Sequence, residues 1–134
     1  MTAASLEARR GALARMFEAA VAAAHPAACL PAHLPAPPQR GRLVVLAAGK
    51  AGASMAAVAE RFYRDRHGLG PDRFAGLAVT RHGYGAPAGA IPVVECGHPV
   101  PDQDGVAATG RGVRAASAPG GSPRQVPPAP ARHR

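Results

Sequence analysis

The sequence predicts an α/β fold, a Rossmann-like three-layer parallel sheet of which this chain carries an incomplete part. Three observations predict it. Short apolar runs at Leu43–Ala47, Gly76–Thr80 and Ile91–Cys96 have the length and content of strands buried on both faces. The first run passes through a glycine turn, Ala48-Gly49-Lys50-Ala51-Gly52, straight into residues at helical spacing. A helical crossover between the first two runs implies parallel strands with a right-handed connection.

Each element has its own signal. Leu13, Met16, Phe17, Ala20, Val21 and Ala24 recur at helical spacing, which predicts a first helix over Leu6–Ala24 with Ser5 as its cap. Pro26 ends it. Residues His25 to Pro38 contain five prolines and allow one helical turn around Ala27 to Leu30 before an extended connection. The second helix is expected over Ala51–Arg66, with Met55, Val58, Ala59 and Phe62 on its buried face and Glu60, Arg61 and Arg64 off it. Gly68-Leu69-Gly70-Pro71 breaks that helix. Arg81 to Ala90 reads as a glycine-rich loop, and Pro92 is tolerated because it lies near the start of the third strand. Asp104 is a candidate cap for a helix from Val106, but residues 110–134 carry five prolines and few large aliphatics. Such a segment buries too little to offset its ordering entropy, so the expectation is a domain over 1–109 and a disordered tail over 110–134, read as truncated or frame-shifted sequence.

Charge and cysteines narrow the function classes. The formal net charge is +8, but residues 1–109 hold 11 basic and 8 acidic groups, while the last 25 residues hold five arginines and no acid. The basic character therefore belongs largely to the tail, and without Trp or an aromatic-interleaved basic run a stacking platform for single strands has little to work with. Cys29 and Cys96 lie far apart outside any CxxC arrangement, which predicts reduced thiols and no cysteine metal site. No apolar segment reaches a membrane span and the N-terminal stretch carries Glu7 and Glu18, so a cytoplasmic protein is expected.

The chemistry gathers at the first glycine turn. A strand–turn–helix junction aims free N–H groups and the positive end of the helix dipole at whatever lies above the strand, so anions bind there. Lys50, in that turn, is the chain's only lysine, a compact movable charge suited to a phosphate or carboxylate.

Three ordered motifs, AAGKAGASMA, VTRHGYGAP and VVECGHPVPDQDG, resemble the glycerate 2-kinase family over about Leu13 to Ala108. The resemblance implies ATP-dependent phosphorylation of the 2-hydroxyl of D-glycerate, with ATP and Mg²⁺ as cofactors, in a longer two-domain enzyme. It implies a catalytic role for Lys50, substrate binding by Lys50, Arg81, His98 and Asp102, and nucleotide binding by Gly49, Lys50 and Gly52. No resident metal site is expected, Asp102 and Asp104 being the only carboxylates placed to face Mg²⁺. For His98 and Asp102 the competing account is a loop ordered by prolines and an Asp turn, and His82 is read as structural. The chain departs from the family at His25, where an Asp cap is usual, and at Gly120-Gly121-Ser122, which is flanked by prolines where the family has a Ser-Gly-rich phosphate loop. The fragment is therefore expected to be inactive alone. The rival readings are an NADP-dependent reductase, for which Ala47 occupies the place of the first fingerprint glycine, a sugar-phosphate isomerase-type domain, and a small basic nucleic-acid-binding module.

Overall fold

A computed structural model of the chain describes residues 3–118. The elements are α1 (Ala3–Ala24), the short α2 (Pro26–Cys29), a 3₁₀ turn (Pro31–His33), β1 (Leu43–Ala48), α3 (Gly52–Arg61), a π-helical turn (Phe62–Arg66), β2 (Phe74–Arg81), β3 (Val93–Cys96) and α4 (Gln103–Ser117). The strands form one sheet in the order β1-β2-β3, both pairs parallel, as the apolar runs predict. Strand β3 starts at Val93 because the Ile91 N–H turns back to the Ala88 carbonyl and Pro92 has no N–H to give.

Alternation along the strands sorts the two faces. Leu43, Val45, Phe74 and Ala78 pack with Ala56, Ala59 and Tyr63 of the α3 segment, whereas Leu46 and Leu77 reach towards Gly112 of α4 on the opposite face. A helix thus packs on each side of the sheet, with Leu46 of β1 left half exposed on the α4 side. The Tyr63 hydroxyl donates to the Pro35 carbonyl at 2.9 Å, and Arg73 donates to the Gly41 and Pro38 carbonyls, so the proline-rich connection is tied to the core without secondary structure of its own.

Four details differ from the sequence reading. The buried face of α3 is Gly52, Ala53, Ala56, Ala59 and Glu60, while Met55 is exposed, because a helix lying close on a sheet selects small side chains. Glu60 is buried because it takes the Ala90 and Ile91 N–H groups at 2.9 and 3.2 Å, which pins the loop returning to β3. Ser5 lies inside α1 and is not its cap. A helix does develop after β3: Asp102 caps α4 by accepting from the Gly105 N–H at 3.0 Å, and α4 runs across Gly110 to Ser117. It needs no large aliphatics, since Ala108 and Gly112 let it sit directly on the sheet. The remainder of the tail, including Gly120-Gly121-Ser122, lies outside the described residues.

Candidate functional site

Parallel pairing brings the carboxyl ends of all three strands to one edge. Ala48 lies opposite Val79 and Arg81 opposite Cys96, so the loops that carry Lys50, Arg81 to Gly85 and Gly97 to Asp102 leave the sheet side by side. Ligands of open α/β sheets bind at such an edge.

The first loop is shaped by its glycines. Gly49 has φ 111°, a left-handed conformation that a side chain would strain, and a Cβ on Gly52 would stand 2.9 Å from the Val79 carbonyl oxygen. The Gly49 N–H donates to that same carbonyl at 3.0 Å, and the Thr80 hydroxyl donates to the Lys50 carbonyl at 3.4 Å. These contacts fix the turn and leave the Lys50 side chain exposed, with no hydrogen bond or ion pair among the described residues. Ala51 gives α3 no side-chain cap.

The second loop holds Arg81. Its guanidinium carbon lies 3.6 Å from the centre of the Tyr84 ring, and its Nε is buried without an acceptor. Glu95 accepts from the Gly83 N–H at 3.1 Å and the Gly85 N–H at 2.6 Å. Those two N–H groups hold the Glu95 carboxyl below its ordinary range against a small desolvation cost, and His82 adds to the effect. Buried Arg42 Nε also lacks an acceptor, but Arg42 precedes β1 and so lies at the other edge of the sheet.

Asp102 organises the third loop. It accepts from the Gly97 N–H at 2.7 Å and the Gly105 N–H at 3.0 Å, and its Oδ2 lies 3.1 Å from His82 Nε2. The Gly105 N–H, more than desolvation opposes, lowers the Asp102 pKa, with His82 and Gly97 contributing. Ligand atoms of His82, Asp102 and Asp104 all lie within 4.8 Å of one another, so two carboxylate oxygens and an imidazole nitrogen form a donor set that fits a divalent cation. His82, read as structural from the sequence, thus stands beside both aspartates at this edge. His98 is exposed and has no hydrogen bond or ion pair among the described residues.

Sequence reasoning missed Tyr84 and Glu95. A signal was present for Glu95, the one acid in an otherwise apolar run, because a carboxylate on a sheet demands donors and the glycines at 83 and 85 supply them. Tyr84 carried no such signal. Its ring meets Arg81 only through the bend of the loop.

Comparison with known proteins places the chain. A family described as a domain of unknown function, DUF4147, matches residues 12–122, running past the break expected after Thr109. A protein of Agrobacterium vitis named as a hydroxypyruvate reductase is 45% identical over 94 residues, covering 70% of this chain and 20% of its own length. The glycerate 2-kinase of Pyrococcus horikoshii is 37% identical over 67 residues, covering 50% of this chain and 13% of that protein. Among solved structures, the glycerate kinase of Thermotoga maritima shares the fold with a TM-score of 0.57 at 24% identity, over 78% of this chain and 24% of that one. The chain thus spans about a fifth of the length of the curated relative that covers it best among these.

Proposed function

The chain belongs to the DUF4147 family, the glycerate 2-kinase family its three loops resemble, and from that membership we propose that it carries part of the active site of an ATP-dependent kinase acting on the 2-hydroxyl of D-glycerate. The observation that carries this reading is a pair of cations, Lys50 and Arg81, without an ion-pair partner among the described residues, on adjacent loops at the carboxyl edge of a parallel sheet. In this reading Lys50 neutralises charge that develops on the transferred phosphoryl group, and the turn of Gly49 and Gly52 lets phosphate approach the backbone at the start of α3. Arg81 takes the glycerate carboxylate through its fork of N–H donors. Asp102 and Asp104 would hold Mg²⁺, which when bound screens the phosphate charge; His82 steadies Asp102 from the neighbouring loop. His98 is assigned to substrate by the same reading, from its place on the third loop.

Phosphoryl transfer needs a complete cradle for the nucleotide and exclusion of water. With about a fifth of its relatives' length, the chain is proposed to bind ligands weakly and not to turn over alone. A cytoplasmic setting goes with a small soluble substrate. The reductase name borne by some relatives is accommodated as another name within this family, since the end of β2 offers Thr80 and Arg81 and no acid for a ribose hydroxyl.

Titration of the chain with ATP and Mg²⁺, followed by amide shifts, tests the reading. Perturbation of Gly49 to Ser54 is expected, with at least a tenfold weakening in Lys50→Met, and no ADP formation when D-glycerate is added. Unchanged binding in Lys50→Met removes Lys50 from the mechanism, and steady turnover by the chain alone overturns the account of an incomplete site.

A further inference from the structure

Arg81 is held in an unusual state for a half-buried arginine. No carboxylate pairs with it, its Nε is shielded from solvent without an acceptor, and none of its nitrogens has a hydrogen-bond partner among the described residues. Two acids stand at the same edge, Glu95 in β3 and Asp102 before α4, but neither pairs with Arg81 among the described residues. Glu95 is taken by the Gly83 and Gly85 N–H groups and Asp102 by Gly97, Gly105 and His82. An arginine with a hydrogen-bond deficit beside satisfied acids is open to an external anion.

The contact that fixes the guanidinium is the Tyr84 ring, 3.6 Å from its central carbon. The ring in turn is fixed through the backbone. The Tyr84 N–H donates to the Arg81 carbonyl at 3.1 Å, and Glu95 grips the residues on either side of Tyr84. Gly85 packs so close to Glu95 Oε1 that a Cβ there would overlap it, and Gly83 has φ 77°, so the loop sequence GYG suits this grip and few others.

We propose that Tyr84 and Glu95 are positioning residues that set Arg81 as a carboxylate receptor at the end of β2. The inference rests on the substrate role given to Arg81 above, and names the two residues that create the receptor. The ring covers one face of the guanidinium and Nε is buried, so the two Nη groups are the donors left for a planar bidentate partner.

The test has two arms on the full 134-residue chain. In the first, without ligand, the side-chain δ-proton and Nε–H resonances of Arg81 are recorded by NMR. Ring-current shifts are expected in the wild type and in Tyr84→Phe, absent in Tyr84→Leu and reduced in Glu95→Gln. Arg81 signals that are alike in the wild type and Tyr84→Leu overturn the positioning role. In the second arm D-glycerate is titrated, and its dissociation constant is expected to rise about two- to fivefold in Tyr84→Leu, with Tyr84→Phe restoring wild-type affinity. Binding equal in the wild type and Tyr84→Leu overturns positioning while leaving Arg81 as receptor. A wild type whose Arg81 is ring-shifted but does not respond to D-glycerate overturns the receptor role, and with it the substrate assignment of Arg81.

Discussion

Helices α1 and α3 look alike as sequence and behave differently as structure. Both place apolar residues at three- and four-residue intervals. On α3 the inward residues are small, Ala53, Ala56 and Ala59 being no more than 3% exposed, and the following Tyr63 is 2% exposed. On α1 the stripe is large, yet Leu13, Met16, Phe17 and Val21 are 66%, 69%, 70% and 51% exposed, and α2 is the element packed on it. Periodicity establishes that a helix has an apolar face, but close approach to a sheet requires small side chains on that face. The stability of this chain should therefore depend on α3 and little on α1.

The sharpest version of that comparison is a pair of aromatic truncations. Tyr63→Ala removes a buried ring and leaves the Pro35 carbonyl without its donor, so it should cost about 3–5 kcal/mol in denaturant unfolding. Phe17→Ala should cost a small fraction of that. Similar losses for the two would erase the distinction between the helices.

Next in size is Glu60, which joins α3 to the loop before β3. Glu60→Gln keeps the shape but loses the charge-assisted bonds to Ala90, Ile91 and Arg64, for an expected cost of about 1–3 kcal/mol. Burial raises the Glu60 pKa, and the Ala90 N–H, Arg64 and the Ile91 N–H together outweigh it, so the net position is below the ordinary 4.5. A depressed folded-state pKa means that this stabilisation is present above about pH 4.5 and is lost as the pH falls through the folded value. Stability measured from pH 7 to pH 3 should fall, and fall less steeply in Glu60→Gln. Equal slopes would show that Glu60 is not the linked group.

A smaller effect of opposite sign is expected on the other face. Gly112 of α4 has room for a methyl group, since a Cβ would meet Leu77 and Leu46 at ordinary contact distances of 3.7 and 3.9 Å. Gly112→Ala should stabilise the chain by about 0.5–1 kcal/mol through helix propensity. A loss in thermal melting would mean that α4 sits closer to the sheet than these distances allow.

What the sequence disclosed follows the same division. The three parallel strands, the glycine turn and the second helix were legible because apolar runs, Gly49 and Gly52 answer to local rules. The helix α4 was not, because reading aliphatic content overlooks what Ala108 and Gly112 gain by lying flat on a sheet. At the site, Lys50, Arg81 and Asp102 were placed by their loops, whereas Tyr84 and Glu95 act through contacts made across a bend. A lone acid such as Glu95 can be flagged from sequence, but its donors are found only once residues 83 to 85 are folded against it.

The smallest effect is the one that most directly tests the contrast between the helices. Phe17→Ser introduces a polar group at a position 70% exposed, where little buried area is lost. Surface substitutions of this kind fall within about 0.5 kcal/mol of the parent. Thermal melts at several protein concentrations, with sedimentation to follow association, should give the same midpoint for the variant and the parent at low concentration. A drop of about 2 kcal/mol, which is the scale of burying such a ring, would show that the stripe is covered in solution. If that drop shrinks on dilution, a second copy provides the cover; if it does not, α1 folds back on its own chain and the contrast with α3 disappears.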